Sequence, residues 1–310
     1  MKILPLAASL ALILTACGQK TEAPAAPESA SDQPAEVVAP APAVEAVANP
    51  LDAAIAGDWR SADNKARDQY RHPKQTLEFF GLQPTDTVIE ITPGGGWYTE
   101  ILSPYLWSKG SYIAAIANSE SSEYNKKNNE RFRAKLAADP AHYESAKIVE
   151  FDPKAPNFGA DGSADVVLTF RNVHNWVGAG TAEAMFKAFN AVLKPGGTLG
   201  VADHRAADDA TPESLKDSGY LTTASVVKLA TDAGFTLVES SEINANPKDT
   251  RNHPEGVWTL PPSLALKDVD RDKYLAIGES DRMTLKFKKP KADAIFEQGT
   301  DAKPEAPAQQ

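Results

Sequence analysis

The chain has 310 residues, 42% hydrophobic and 24% charged, an ordinary balance for a folded protein and enough for one large domain or two small ones. Its 32 basic and 42 acidic residues leave a formal charge of -10, which speaks against nucleic acid as the partner, since phosphate contact calls for a basic face. A single cysteine excludes a disulfide framework and a CxxC metal site.

That cysteine closes the first feature of the chain. Met1-Lys2 is a short basic start, and residues 3–16 are apolar apart from Pro5, Ser9 and Thr15. A bilayer span needs roughly 20 apolar residues, so this stretch suits a leader better than an anchor helix. Leu14-Thr15-Ala16-Cys17 resembles a bacterial lipobox. The resemblance implies a leader over 1–17, cleavage before Cys17 and lipidation of its thiol, so that the protein meets a membrane through an N-terminal lipid. Gly18, where an aspartate would signal retention at the inner membrane, favours the outer membrane by analogy, with the protein facing the periplasm. Residues 18–49 are rich in Ala, Pro and Glu and hold no aromatic residue; they read as an extended tether. Residues 291–310 are polar apart from Ile295-Phe296 and read as a disordered tail, leaving 50–290 as the folded part.

Within it, strand and helix patterns alternate. A helical stretch over 64–80 breaks near His72-Pro73. Strands follow at 87–91, 112–117, 147–151, 164–170, 198–202 and from 235, with an alternating seventh at 283–288 that suits an antiparallel partner. Helices are expected at 97–106, at 121–138 with Tyr124, Phe132 and Leu136 on one face, at 181–193, and at 222–233 before Gly234. This order predicts an α/β fold, a doubly wound seven-stranded, mostly parallel sheet covered by helices on both faces.

Ligands of such sheets sit beyond the carboxyl ends of the strands. There the stretch VIEITPGGGWYTEIL, residues 88–102, puts three glycines between the first strand and its helix. Glycine adds no buried surface, so the triplet points to a ligand that approaches the main chain at a helix N-terminus. A P-loop is excluded because no Gly-Lys-Ser/Thr follows. A nicotinamide site wants G-x-G-x-x-G, whose last position here is Thr99, and an acid some 20 residues on, where only a displaced Glu120 is on offer.

The segment 90–96 resembles the first motif of class I S-adenosylmethionine-dependent methyltransferases, with Thr92 where a first glycine is usual. DVVLTF (165–170), LKPGGTLGV (193–201) and AGFTLVE (233–239) resemble the fourth-, fifth- and sixth-strand motifs of the same fold, in the right order. PGGGWYTEIL, LTFRNVHNW, SEINANPKDT, GVWTLPP and GESDRMTLKF are similar to a family of predicted bacterial methyltransferases whose members often carry signal peptides.

The resemblance implies S-adenosylmethionine as cofactor. Glu90 would face its ammonium group, Gly94, Gly95 and Gly96 its amino-acid end, and Trp97 or Tyr98 its sulfonium. Asn118 or Glu120 would stand where an acid normally grips the ribose, and Asp152, at the third strand end, near the adenine. Each has a plainer reading: Glu90 as a satisfied buried acid, the aromatics as core, Asp152 as a turn cap before Pro153. Arg171, Asn172 and His174 follow the fourth strand and His204 ends the fifth; an imidazole there suits a general base. No histidine pair has zinc spacing on a helix. The Asn/Asp-Pro-Pro-aromatic motif of amino-methylating nucleic-acid enzymes is missing, which favours a small-molecule or lipid-like acceptor. Residues 244–262 read as an ordered loop over the carboxyl edge, offering Asn246, Lys248, Asp249, His253 and Trp258 as a lid or substrate wall. Two functions stand at this point: methyl transfer by an envelope lipoprotein, and a non-catalytic binding or scaffold lipoprotein on the same fold. The first requires a cofactor made in the cytoplasm to reach an exported chain.

Overall fold

A computed structural model describes residues 49–291. Cys17 with its leader, the tether up to residue 48 and the tail from residue 292 lie outside the described residues.

An upstream helical layer comprises α1 (Pro50–Ala56), α2 (Ala62–Lys65), α3 (Asp68–Arg71) and α4 (Pro73–Phe80). Asn49 and Ser61 cap α1 and α2 with their side chains, and Pro50 and Pro73 open α1 and α4, where a missing N–H costs nothing. The alternating part follows: β1 (Thr87–Ile91), α5 (Thr99–Leu106), β2 (Ser111–Ala117), α6 (Glu123–Ala138), α7 (Pro140–Tyr143), β3 (Lys147–Phe151), β4 (Ala164–Phe170), α8 (Val173–Gly178), α9 (Ala182–Val192), β5 (Leu193–His204), α10 (Pro212–Leu215), α11 (Thr223–Asp232), β6 (Thr236–Ser241), α12 (Arg271–Ile277) and β7 (Arg282–Lys288).

The seven strands form one sheet in the order β3-β2-β1-β4-β5-β7-β6. β1 pairs in parallel with β2 on one side and β4 on the other, and β7 runs antiparallel between β5 and β6. The order reverses at β1, so a crevice opens where the chain leaves β1 and β4 for opposite sides.

Alternation along the strands divides the core into two. Val88, Val166 and Leu168 face Leu77, Phe80, Ile101 and Leu102, while Ile89, Ile91 and Val167 face Met185, Phe186 and Phe189. Gly200 on β5 lets α4 lie close on the sheet: a Cβ there would stand 2.8 Å from both Leu168 Cδ2 and Phe80 Cγ. Tyr124 departs from the expected apolar face of α6; it is 73% exposed, and a buried Asn129 takes part in that face beside Phe132 and Leu136. Among the described residues no helix is long and apolar enough to cross a membrane.

Candidate functional site

A cavity of about 550 Å³ occupies the crevice at the carboxyl ends of β1, β2, β3 and β4. Its floor is the β1 turn. Gly94 has φ +60, and a Cβ built on Gly94 or Gly95 would meet no atom within 4 Å, so the main chain stands open to the cavity. Among the described residues the N–H groups of Gly94 and Gly95 donate to no main-chain carbonyl. Gly96 sits behind them, off the cavity wall, with φ +79 and the Lys135 and Phe132 side chains 3.1–3.3 Å from its would-be Cβ. Thr92, which replaces the usual glycine, has φ +52. The turn thus keeps a left-handed residue there despite a β-branched side chain, a conformation that costs of order 1–3 kcal/mol.

Glu90 reaches the cavity from the end of β1 and is 3% exposed. Its Oε2 accepts hydrogen bonds from Tyr112 Oη (2.6 Å) and Thr99 Oγ1 (3.2 Å), leaving Oε1 without a hydrogen bond among the described residues. Burial pushes its carboxyl up to about 7, against the pull of those two hydroxyls.

Trp97 and Tyr98 line the same wall, but not as free π faces. The guanidinium groups of Arg71 and Arg60 lie 4.7 and 5.2 Å from the Trp97 ring, whose Nε1 donates to Asn64 O. Tyr98 stacks on Phe170 with ring centroids 3.6 Å apart. The expected role of Trp97 toward a sulfonium is therefore corrected: its cation partners are the chain's own arginines.

Two further expectations are corrected. Asn118 does not line the cavity; its Oδ1 caps the turn at Ser119–Ser121 by accepting from Glu120 N (2.8 Å). Glu120 is exposed. Asp152 is exposed, and its Oδ1 accepts from Lys154 N (2.9 Å), the turn cap that a residue before proline commonly forms. The polar groups on that side come instead from α6: Asn125, Asn128 and Asn129 line the wall, and Asn129 Nδ2 donates to Ala117 O (2.7 Å). The apolar periodicity of α6 marks only Phe132 and Leu136, and carries no signal for polar side chains on the neighbouring positions.

Asn172 is buried on the opposite wall, its Nδ2 tied to Ile91 O (2.9 Å) and Thr169 Oγ1 (3.3 Å), which locks the ends of β4 and β1 together. Arg171, at φ +62, also lines the cavity, and burial pulls its guanidinium down to about 10.

His174 lies on α8 and faces a second cavity of about 930 Å³ between α8, α11 and the segment around residue 258; Asn175 lines both cavities. Asp203, wholly buried at the end of β5, holds His174: Oδ1 receives His174 Nδ1 at 2.9 Å and His204 N at 2.7 Å, and Oδ2 receives Val173 N at 2.7 Å. With Nδ1 fixed, Nε2 is the nitrogen left for chemistry. His204 lines neither cavity, a correction to its expected catalytic role. Its Nδ1 meets Ser280 Oγ at 2.5 Å, its ring packs 5.0 Å from that of His174, and burial, then His174 and Arg171, push its pKa well down. It supports His174 as a neutral ring. Ligand atoms of His174, Asp203 and His204 lie within 4.8 Å of one another, a proximity no sequence spacing revealed; the carboxylate is spent on hydrogen bonds as described.

The loop over 244–262 divides between scaffold and wall. Asn246 binds Asp281, Ile277 O and Glu279 O; Asp249 receives Tyr220 Oη, Asp281 N and His253 Nε2. These are pins, and Lys248 is exposed. Trp258 alone of the five forms part of the second cavity, 6.0 Å from the His174 ring.

No family model matches the chain, and no curated protein matches it. Among solved structures it is similar to the [4+2]-cyclase SpnF, at 15% identity over 76% of this chain and 86% of that one, with a TM-score of 0.52. A protein of Galdieria sulphuraria assigned as a sarcosine dimethylglycine methyltransferase matches at 15% identity over 73% and 86%, with a TM-score of 0.50. A SAM-dependent methyltransferase from Aquifex aeolicus matches at 16% identity over 72% and 93%, with a TM-score of 0.47. Identities this low speak to the fold alone, the Rossmann-like α/β fold expected from the strand and helix order.

Proposed function

We propose that the chain is an S-adenosylmethionine-dependent methyltransferase acting on a small-molecule or lipid-like acceptor, carried on an envelope lipoprotein anchored through Cys17. The observation that carries this reading is the bare main chain of Gly94 and Gly95, open to a cavity of about 550 Å³ at the sheet's switch point with the buried Glu90 carboxylate beside it.

These residues fit the cofactor's groups. The N–H groups of Gly94 and Gly95 suit its carboxylate, and Glu90 Oε1 its ammonium. Ile116, Phe151 and Pro153 give apolar wall for the nucleoside, and the α6 asparagines supply hydrogen-bonding groups where the resemblance leads one to expect an acid. The bound sulfonium supplies an electrophilic methyl group. The chain's own part is to hold the acceptor in line, exclude water and take up a proton. Orientation alone can lower a barrier by about 7–11 kcal/mol in favourable cases. His174 Nε2, with its ring fixed by Asp203, accepts the acceptor's proton in this scheme, and the acceptor spans the junction at Asn175, its reacting end toward His174 in the second cavity and its remainder in the first.

A second reading, a non-catalytic envelope lipoprotein that binds a ligand in the same cavity, draws on three observations: Thr92 strains the turn where a glycine is usual, and Asn118 and Asp152 both lie off the cavity. The likeness to a [4+2]-cyclase also shows that this fold is not tied to methyl transfer. Calorimetry with S-adenosylmethionine and S-adenosylhomocysteine, followed by release of label from methyl-labelled donor onto envelope extracts, tests both. Binding with transfer supports the enzyme, binding without transfer the second reading, and no heat at millimolar ligand removes this cofactor from either.

A further inference from the structure

Four arginines gather at the edge of the first cavity around too few acids. Arg67, which precedes α3, Arg71 at the end of α3 and Arg171 after β4 line it, and Arg282 opens β7 beneath them. Glu279 serves three: its oxygens receive Arg67 Nε at 2.6 Å, Arg71 Nε at 3.1 Å and Arg282 Nη2. Burial alone would raise this carboxyl, but Arg282, Arg71 and Arg67 outweigh it and hold it at about 2. Arg171 feels Arg282, Glu279, Arg67 and Asp203 only through space, and its guanidinium makes no hydrogen bond among the described residues.

The cluster is short of acceptors as well as charge. Of the five buried side-chain atoms left without a hydrogen-bond partner among the described residues, Arg60 Nε and Glu100 Oε2 face each other at 3.8 Å. Two of the others are Arg67 Nη2 and Arg71 Nη2, on side chains that line the cavity, and Arg71 is only 4% exposed. Buried guanidinium N–H groups without protein acceptors are costly, and an anion at the cavity edge would supply the acceptors that these lack.

The donor named above does not supply it. Its amino-acid end has the glycine turn and Glu90, and its sulfonium and ammonium outweigh its one carboxylate, so it brings a net positive charge. Counting Glu279, Glu90 and even the occupied Asp203 against the four arginines, one positive charge is left over before the donor enters. We propose that Arg67, Arg71 and Arg171 form an anion subsite that reads a carboxylate or phosphate group on the methyl acceptor. This names the acceptor class for the reading above and rests on it. Paired, planar guanidinium groups suit both anions, each of which offers several oxygens.

The test is calorimetry on the full chain with three probes. S-adenosylhomocysteine is titrated first; then succinate and inorganic phosphate are each titrated at saturating S-adenosylhomocysteine and constant ionic strength. The expected result is saturable uptake of one anion, which identifies the acceptor's acid group. R171Q weakens that uptake about tenfold or more while changing S-adenosylhomocysteine affinity less than twofold, and R171K, which keeps the charge, restores part of it. Near-UV circular dichroism checks that both variants keep the native packing. An equal loss of S-adenosylhomocysteine affinity in R171Q overturns the inference, because the cluster would then serve the donor. So does S-adenosylhomocysteine binding with no heat from either anion at millimolar concentration, which leaves the cofactor reading intact. Anion uptake without S-adenosylhomocysteine binding removes the cofactor reading and keeps the anion site.

Discussion

Glu90 gives the folded chain a pH dependence that can be worked out in advance. Its carboxyl stands at about 7 in the folded state against a reference of 4.5. A raised acid binds its proton in the folded chain when the unfolded chain has already lost it. Stability from this group is therefore present below pH 4.5 and is lost as pH rises through 7. Integrated between pH 5 and 8, that difference comes to about 2–3 kcal/mol for one fully buried group. His204 works the other way over part of this range, since its folded pKa lies well below the reference of 6.5 and its contribution grows as pH rises to that value. The measurement is therefore a difference. Urea unfolding of the wild type and of E90Q at pH 5, 6, 7 and 8 should show the wild type losing about 2–3 kcal/mol relative to E90Q across the series, with common groups cancelling. Parallel curves for the two proteins would refute the account of a buried, proton-holding Glu90. The same group predicts that S-adenosylhomocysteine, whose ammonium favours the ionised carboxylate, binds more tightly as pH rises through 7 and releases a proton on binding. Titration in two buffers of different ionisation enthalpy reads that proton.

Three other outcomes follow from the geometry. H174A should lower turnover of the identified acceptor by about 10²–10⁴-fold and leave S-adenosylhomocysteine affinity unchanged, because His174 faces only the second cavity; equal loss of both would contradict its role. T92G relieves a β-branched residue at φ +52 and should raise the stability measured by denaturant unfolding by up to about 1 kcal/mol, whereas a loss of stability would show that the Thr92 side chain is needed where it is. G200V places a branched side chain 2.8 Å from Phe80 and Leu168 atoms, and a fall in stability of about 1–3 kcal/mol is expected from thermal and urea unfolding.

The centre of the sheet was legible from the residues because β1 and β4 are buried apolar runs bounded by turn formers. The ranges read for β1, β3 and β4 coincide with those observed, and β7 is antiparallel as expected. Short helices were not legible: α1, α8 and α12 have seven residues or fewer, too short for periodicity to register. At the site, Glu90, Gly94, Gly95, Arg171 and Asn172, all at the ends of β1 and β4, line the first cavity, whereas Asp152 and His204, at the ends of β3 and β5, do not. Asn118 and Asp152 failed for a local reason, since a short side chain beside a turn satisfies its own main chain first. The arginine cluster was invisible because its bonds join Arg67 and Arg71 to Glu279 across more than 200 residues, and no periodicity or motif links such positions. The Asp203–His174 pair spans 29 residues and two strand ends, so adjacency in the sheet was the only possible signal for it.

Main chain at the β1 turn lying against a sulfonium nucleoside is the central claim, and Gly95 offers the cleanest probe of it. A Cβ there meets no atom within 4 Å, so a leucine starts into the cavity from an open position. Calorimetry of the wild type and G95L with S-adenosylhomocysteine should show saturable one-to-one binding in the first and at least a tenfold loss in the second, at equal thermal stability. Undiminished binding in G95L, or no binding by the wild type at millimolar ligand, would contradict it.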